Sequence, residues 1–317
     1  MVDFFYKMYF LAHRDNKLLD KIRFFSLLRF ITRLSANIVL PFYFIITRKR
    51  SKYKLIKTER SKGRIIVSFT SFPARINRIW LMLESVLRQE LKPDMVILWL
   101  SKDQFESYES LPPRLLKMRD RGIDIRFCDG DLRSHKKYYY AMQEYPDDLI
   151  ITLDDDIFYY SHVIKDLVQM NHRYPEVVCC IRARQIETIK DQIVPYKNWI
   201  TLKEEKGPCY NILPTGVGGV LYPPASLHKD VFNLEVSTKL CFLADDIWLN
   251  AMVRLQGTKT AKASDDIYML PIMYYKENNK LTTINVDGGQ NDLQIKNIRD
   301  YYIRAYKIDL YKDLLKD

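Results

Sequence analysis

The stretch DLIITLDDDIFYY, residues 148–160, sets three aspartates at the end of a short apolar run. Leu149 to Leu153 is apolar and partly β-branched, which reads as a buried strand. Groups at the carboxyl end of such a strand lie where open α/β sheets bind their ligands. Asp154, Asp155 and Asp156 repel one another unless something cationic shares the site. A divalent metal carrying a phosphorylated substrate is a cation of that kind. The structural alternative is a solvated acidic turn that caps the next helix.

The surrounding pattern bears on that choice. RIIVSFT (64–70) is an apolar strand ending in small hydroxyl residues, and INRIWLMLESVLRQ (76–89) has helical spacing through Ile76, Ile79, Trp80, Leu83 and Leu87. DMVILWLS (94–101) is a second strand, and PPRLLKMRDR (112–121) opens a helix on prolines. GIDIRFC (122–128) is a third strand, KKYYYAMQEY (136–145) a helix, and DLIITL the fourth strand. Strands alternating with helices through short connections imply parallel βαβ units, hence an α/β chain with a Rossmann-type, mostly parallel sheet flanked by helices. No G-x-G-x-x-G or Walker A run follows the first strand, which disfavours a dinucleotide-binding protein and a P-loop NTPase.

Beyond residue 177 the strands are less regular: VVCCIRAR, then LPTGVGGVLYPP (213–224), whose glycines let backbone approach a ligand or simply turn between strands. FLADDIWLNAMVRLQG (242–257) reads as a helix with Asp245 and Asp246 at its start. An acid favours a helix N-terminus, but two adjacent ones leave the second needing a role, and a carboxylate facing a hydroxyl can act as general base. SDDIYMLPI (264–272) repeats the Asp-Asp pair without further signal and is read as structural.

The 317 residues, 47% hydrophobic and 13% aromatic, suffice for a large core. Cys128, Cys179, Cys180, Cys209 and Cys241 form no C-x-x-C pair, which argues against structural zinc or a disulfide framework. The net charge of +11 is unevenly spread: residues 1–64 hold 16 Lys and Arg against 4 Asp and Glu, the rest 34 against 35. The body therefore lacks the basic face that nucleic-acid binding needs. The N-terminal fifth mixes Phe, Leu and Ile with Arg and Lys, and ends in Arg48, Lys49, Arg50, Lys52, Lys54 and Lys57. Its longest uncharged run, Leu34 to Thr47, has 14 residues and contains Pro41, short of the roughly 20 that a spanning helix needs. Asp3 and the lack of a small-residue cleavage site fit a signal peptide poorly. The composition suits the interface of an anionic membrane, although Arg23, Arg29 and Arg33 fall among the apolar residues and no clean amphipathic face emerges. A helix packed on the globular domain is the alternative.

Together these residues resemble the GT-A glycosyltransferases, in particular the bacterial enzymes of surface polysaccharide and lipid-linked glycan synthesis, over residues 64–270. SFTSFPAR (68–75) is similar to the start of that family's nucleotide pocket, DDD to its metal-binding DxD motif, and TGVGG (215–219) to its glycine segment beside the donor sugar. DDIWL followed by RLQG resembles its acidic helix carrying the base of inverting members. The resemblance implies a metal-dependent, inverting transferase of the hexosyl or N-acetylhexosaminyl class, moving sugar from a nucleotide-diphosphate donor, UDP-linked in the first instance, to a glycan or lipid-linked acceptor. It implies Asp156 and Asp154 as ligands of Mn²⁺ or Mg²⁺, and Asp155 between metal and donor. Thr70, Ser71, Arg75, Lys137, Gly218 and Gly219 join Asp154 and Asp155 around the donor, with Lys136, Arg182 or Arg184 as further phosphate partners. Asp246 matches the family base, and Asp245 stands where Glu is usual. The late histidine that ligates metal in some relatives is missing. The chain then divides into a membrane-associating segment 1–62, a catalytic domain 63–275, and a C-terminal loop and helix 276–317, whose NVDGGQND (285–292) could close over the site. Residues 1–60 would hold the enzyme peripherally on the cytoplasmic face of the membrane. The competing readings are another metal-dependent nucleotidyl or phosphoryl enzyme, and a non-catalytic carbohydrate-binding protein that keeps the fold.

Overall fold

A computed structural model describes residues 1–13, 23–48, 54–55, 63–190, 192–265, 268–274, 285–286 and 288–315. Two helices come first, α1 (Val2–Leu11) and α2 (Phe24–Thr47), followed by β1 (Ile65–Thr70), α3 (Ile79–Val86), β2 (Met95–Ser101), α4 (Pro113–Arg119), β3 (Ile123–Cys128), α5 (Lys136–Glu144) and β4 (Leu149–Thr152). The first half is thus the expected strand–helix alternation. Next come β5 (Ile157–Phe158), α6 (Val163–Arg173), β6 (Val178–Cys180), β7 (Ala183–Gln185), the hairpin of β8 (Thr188–Ile189) and β9 (Gln192–Ile193), and β10 (Ile200–Thr201). The chain continues through β11 (Lys206–Cys209), β12 (Ile212–Pro214), β13 (Val220–Tyr222), α7 (Leu234–Cys241), α8 (Asp245–Gln256), β14 (Thr260–Lys262), β15 (Leu270–Pro271) and α9 (Gln290–Tyr306).

Eight strands form one sheet in the order β11-β14-β6-β13-β4-β1-β2-β3. Its β4-β1-β2-β3 half is wholly parallel, as the sequence pattern requires. The other half is mixed: β13 runs antiparallel to both neighbours, β11 is antiparallel to β14, and β14 is parallel to β6. Strands of three or four residues in that half leave little periodic signal, so its direction changes are not legible from pattern alone.

Period-two alternation divides the sheet into two cores. Val67 and Phe69 of β1, with Val96 and Leu98 of β2, face a layer containing α1, α2, α3 and α6. Ile66, Ile97 and Trp99 face the layer that holds α5, α8 and α9. With both faces covered, the central strands carry continuous apolar runs. From β1 the chain lays β2 and β3 on one side and then returns to place β4 on the other. That reversal creates a switch point at the carboxyl ends of β1 and β4.

The N-terminal helices depart from the sequence reading in one respect. α2 is a continuous helix of 24 residues that includes Pro41, longer than the uncharged run suggested. It does have two faces: Phe25, Thr32, Ala36, Leu40, Phe44 and Thr47 are buried. Its other side exposes Leu27, Phe30, Ile31, Leu34, Ile38, Phe42 and Ile46, and α1 exposes Phe4 and Phe10. The contrast is between two apolar faces, one packed and one bare, which a polar–apolar wheel misses. By length and composition α2 could cross a membrane, with mean hydropathy 1.5 over its most apolar window. Of the basic cluster, Lys49, Arg50, Lys52 and Lys57 lie outside the described residues.

Candidate functional site

The acid triplet starts two residues after the end of β4, at the switch point. Ser71, just past β1, donates its hydroxyl to Asp155 at 2.5 Å. Arg75, in the turn that leads to α3, places Nη1 2.6 Å from Asp155 Oδ1 and 2.9 Å from Asp156 Oδ2. Asp155 is buried, whereas the Asp154 and Asp156 side chains keep 31% and 28% of their surface exposed. The middle acid is therefore turned into the protein, and the outer two are partly exposed. Burial pushes the Asp155 carboxyl up, and Arg75 and Ser71 oppose it.

Lys137, in the first turn of α5, joins this triplet to the acids of α8. Its Nζ lies 2.9 Å from Asp154 Oδ1 and 2.8 Å from Asp245 Oδ2. The ammonium is buried; desolvation works against its charge, but Asp154, Asp245 and Asp246 outweigh it and hold the pKa well above normal. Burial alone would raise Asp245 too, yet Lys137 holds that carboxyl below its ordinary value. Asp246 is different. Desolvation, then the charge of Asp245, then that of Asp154 push it up to about 7. Both its oxygens accept from the Gly216 N–H at 3.0 Å, which fixes the carboxylate plane. Neither aspartate caps α8 through its side chain.

Gly216 marks where these groups converge. A Cβ there would lie 2.8 Å from Lys137 Nζ, 2.9 Å from Asp246 Oδ1 and 3.3 Å from Asp154 Oδ1. The sequence reading places Gly218 and Gly219 beside the donor. Gly218 backs onto Arg182 and Ile181, and Gly219, at φ 95°, onto Leu153. The TGVGG spacing does not say which glycine touches the acids; the missing signal was the pairing of Gly216 with Asp246. We expect Gly216→Ala to lower turnover about 10²-fold while thermal stability falls little, because a displacement of about 1 Å at reacting groups has that cost. Steady-state kinetics beside a melting curve checks this, and unchanged turnover would remove Gly216 from the site.

The remaining candidates divide. Thr70 turns its hydroxyl away from the acids to Trp99 O at 2.8 Å. Lys136 pairs with Asp131, away from the triplet. Arg182 donates to Thr215 Oγ1 at 3.0 Å, between the end of β12 and Gly216, while Arg184 binds the carbonyl of Tyr196. The C-terminal segment supports α8: Asn285 Nδ2 donates to Leu243 O at 2.9 Å, and Gln294 Oε1 accepts from Leu243 N at 3.1 Å. In NVDGGQND, Asp287 lies outside the described residues. Of the late Asp-Asp pair, Asp266 lies outside the described residues.

Among the described residues no three His, Cys, Asp or Glu side chains are grouped to hold a metal by themselves. Asp154 and Asp156 are hard oxygen donors on a partly open edge. That suits a cation bound by one or two carboxylates, with substrate phosphate and water completing its shell.

No protein-family model and no curated protein matches this sequence. Solved structures of similar outline include S. aureus TarS 1–349 in complex with UDP-GlcNAc, 14% identical, with 80% of this chain and 70% of that chain covered and a TM-score of 0.47. Another is the mannosyltransferase PcManGT from Pyrobaculum calidifontis in complex with GDP-Man and Mn²⁺, 10% identical, covering 90% and 78%, with a TM-score of 0.47. A third is CMP:2-keto-3-deoxy-manno-octonic acid synthetase complexed with CTP, 12% identical, covering 66% and 91%, with a TM-score of 0.39.

Proposed function

We propose that the chain is a metal-dependent glycosyltransferase that takes a sugar from a nucleotide-diphosphate donor and works at a membrane surface. The observation that carries the reading is the convergence of Asp154, Lys137 and Asp246 on Gly216, with Asp156, partly exposed and paired with Arg75, in the same loop as Asp154. A partly exposed pair of carboxylates beside a carboxylate held near neutrality is what donor activation and acceptor deprotonation require together.

Asp156 and Asp154 would hold Mn²⁺ or Mg²⁺, which when bound supplies positive charge to the departing diphosphate. Arg75 and Lys137 add cationic charge at the same edge. Asp246 takes the proton of the acceptor hydroxyl as its oxygen bonds to the anomeric carbon and the nucleoside diphosphate leaves, so the anomeric configuration inverts. Asp246 suits this task better than Asp245, because a group near 7 is both deprotonated and basic enough at neutral pH. Asp245 instead orients Lys137. The division into segment 1–62, catalytic domain 63–275 and C-terminal part 276–317 belongs to this proposal, with 276–317 supporting the start of α8.

For the membrane, the reading rests on the bare face of α1 and α2 and the cationic charge of residues 1–64. The buried side of α2 packs in the same core as β1 and β2, so the helix lies along the interface and the attachment is peripheral, on the cytoplasmic side where anionic lipid gathers. A glycan or lipid-linked acceptor would reach the site there. We expect the full chain to co-sediment with anionic vesicles more than with neutral ones. Changing Arg48, Lys49, Arg50, Lys52 and Lys54 to Gln should weaken the binding and flatten its salt dependence, since each charge near the surface contributes about 1 kcal/mol. Equal binding of wild type to both vesicle types across a salt series would remove the electrostatic part.

The reaction is tested by hydrolysis of UDP-, GDP- and CMP-sugars with and without Mn²⁺. The expected result is metal-dependent release of nucleoside diphosphate from one donor class. No turnover of any donor, with or without an acceptor, would overturn it.

A further inference from the structure

α2 carries a polar group that its apolar setting does not need. Asn37 Nδ2 donates to Pro271 O at 3.0 Å and to Arg33 O at 2.9 Å. Its Oδ1 accepts from Met273 N at 2.8 Å and from Arg78 Nη2 at 3.3 Å. Pro41, four residues on, has no N–H, so the Asn37 carbonyl lacks the usual helical donor and the helix is weakest at this point.

Two of these connections, to residues 271–273 and to Arg78, lead to the acid triplet. Along one limb, β15 pairs with β5 directly after the triplet, Pro271 opposite Ile157. Ile272 N donates to Asp156 O at 2.7 Å, and Tyr274 OH donates to Asp155 O at 3.3 Å. Along the other, Arg78 N donates to Arg75 O at 2.9 Å, and Arg75 lies on the Tyr274 ring while it holds Asp155 and Asp156. The two limbs close a ring that runs from the helix with the bare apolar face to the carboxylates of the triplet.

We propose that Asn37 is a positioning residue that couples seating of α2 on a membrane to the geometry of the Asp154–Asp156 loop. The surface that carries the acceptor then also sets the donor site. This rests on the membrane reading above and adds to it a regulatory consequence. Side chains that merely glue α2 to the domain would lower stability when removed, but would not make the loop respond to lipid.

The test uses the full chain and equimolar phosphatidylglycerol/phosphatidylcholine vesicles, with two readouts: co-sedimentation, and hydrogen exchange at the Ile272 amide and at residues 157–158. Vesicles should slow that exchange about fivefold in wild type, at the low end of ordinary site-to-site coupling. Asn37→Leu should bind vesicles equally while its exchange no longer changes on binding, whatever its starting level. Asn37→Ser, too short to reach residues 271–273, should match it and serves if the leucine variant unfolds. Leucine and serine variants that respond as wild type does, or a wild type that binds vesicles without any change in exchange, would overturn the coupling alone. A wild type that does not co-sediment would overturn the membrane reading and the coupling with it.

Discussion

Asp246→Asn is expected to lower turnover about 10²–10⁴-fold, the usual contribution of a positioned base, with donor binding nearly unchanged. The amide oxygen still accepts from the Gly216 N–H, so the local geometry survives while the proton acceptor is lost. The same residue predicts the pH profile. With its pKa pushed up to about 7, Asp246 is protonated and inactive on the acid side, and kcat/KM should rise with pH and level off above about 7. That limb reports the free enzyme's base, and it should disappear from the residual activity of the variant. Loss confined to Asp245→Asn would exchange the roles of the two acids, and full activity of both variants would remove the general base from this pair. A product that retains the donor's anomeric configuration would remove the inverting mechanism.

Asp156→Ala should abolish the Mn²⁺-dependent part of nucleotide binding and lower turnover by about 10³-fold or more, since a bridging cation contributes several kcal/mol of charge stabilisation. Asp154→Ala should weaken donor binding by a similar or smaller factor. Asp154 also pairs with Lys137, so removing it leaves that ammonium to Asp245 and disturbs the base. The two variants are therefore distinguishable: the alanine at 156 acts through metal, the alanine at 154 through metal and the pH profile together. Near-normal metal dependence in Asp156→Ala would displace the cation from this loop.

What the sequence makes legible follows from physical scale. The parallel half of the sheet was readable because β1, β2 and β3 are six or seven residues long and separated by recognisable helices, with β1 and β2 buried on both faces and β3 alternating at the edge. Strands such as β13 and β14, three residues each, take their direction from long-range pairing. Ser71, Arg75, Lys137 and the five aspartates were all picked out in advance, and the structure brings them together. Their individual assignments depend on direction. Thr70 and Ser71 are adjacent, yet one hydroxyl turns to Trp99 and the other to Asp155. Gly216 and Asn37 were invisible because each matters through a partner far along the chain, Asp246 in one case and residues 271–273 in the other.

The central claim is that the partly exposed carboxylates bind a nucleoside diphosphate through a shared cation. Calorimetric titration of UDP, GDP and CMP into the full chain, with Mn²⁺ and then with EDTA, tests it most directly. The account predicts that one nucleoside diphosphate binds in the presence of Mn²⁺, that EDTA abolishes the binding, and that CMP gives no heat. Binding of equal strength with and without the metal, or no binding by either diphosphate, would contradict it.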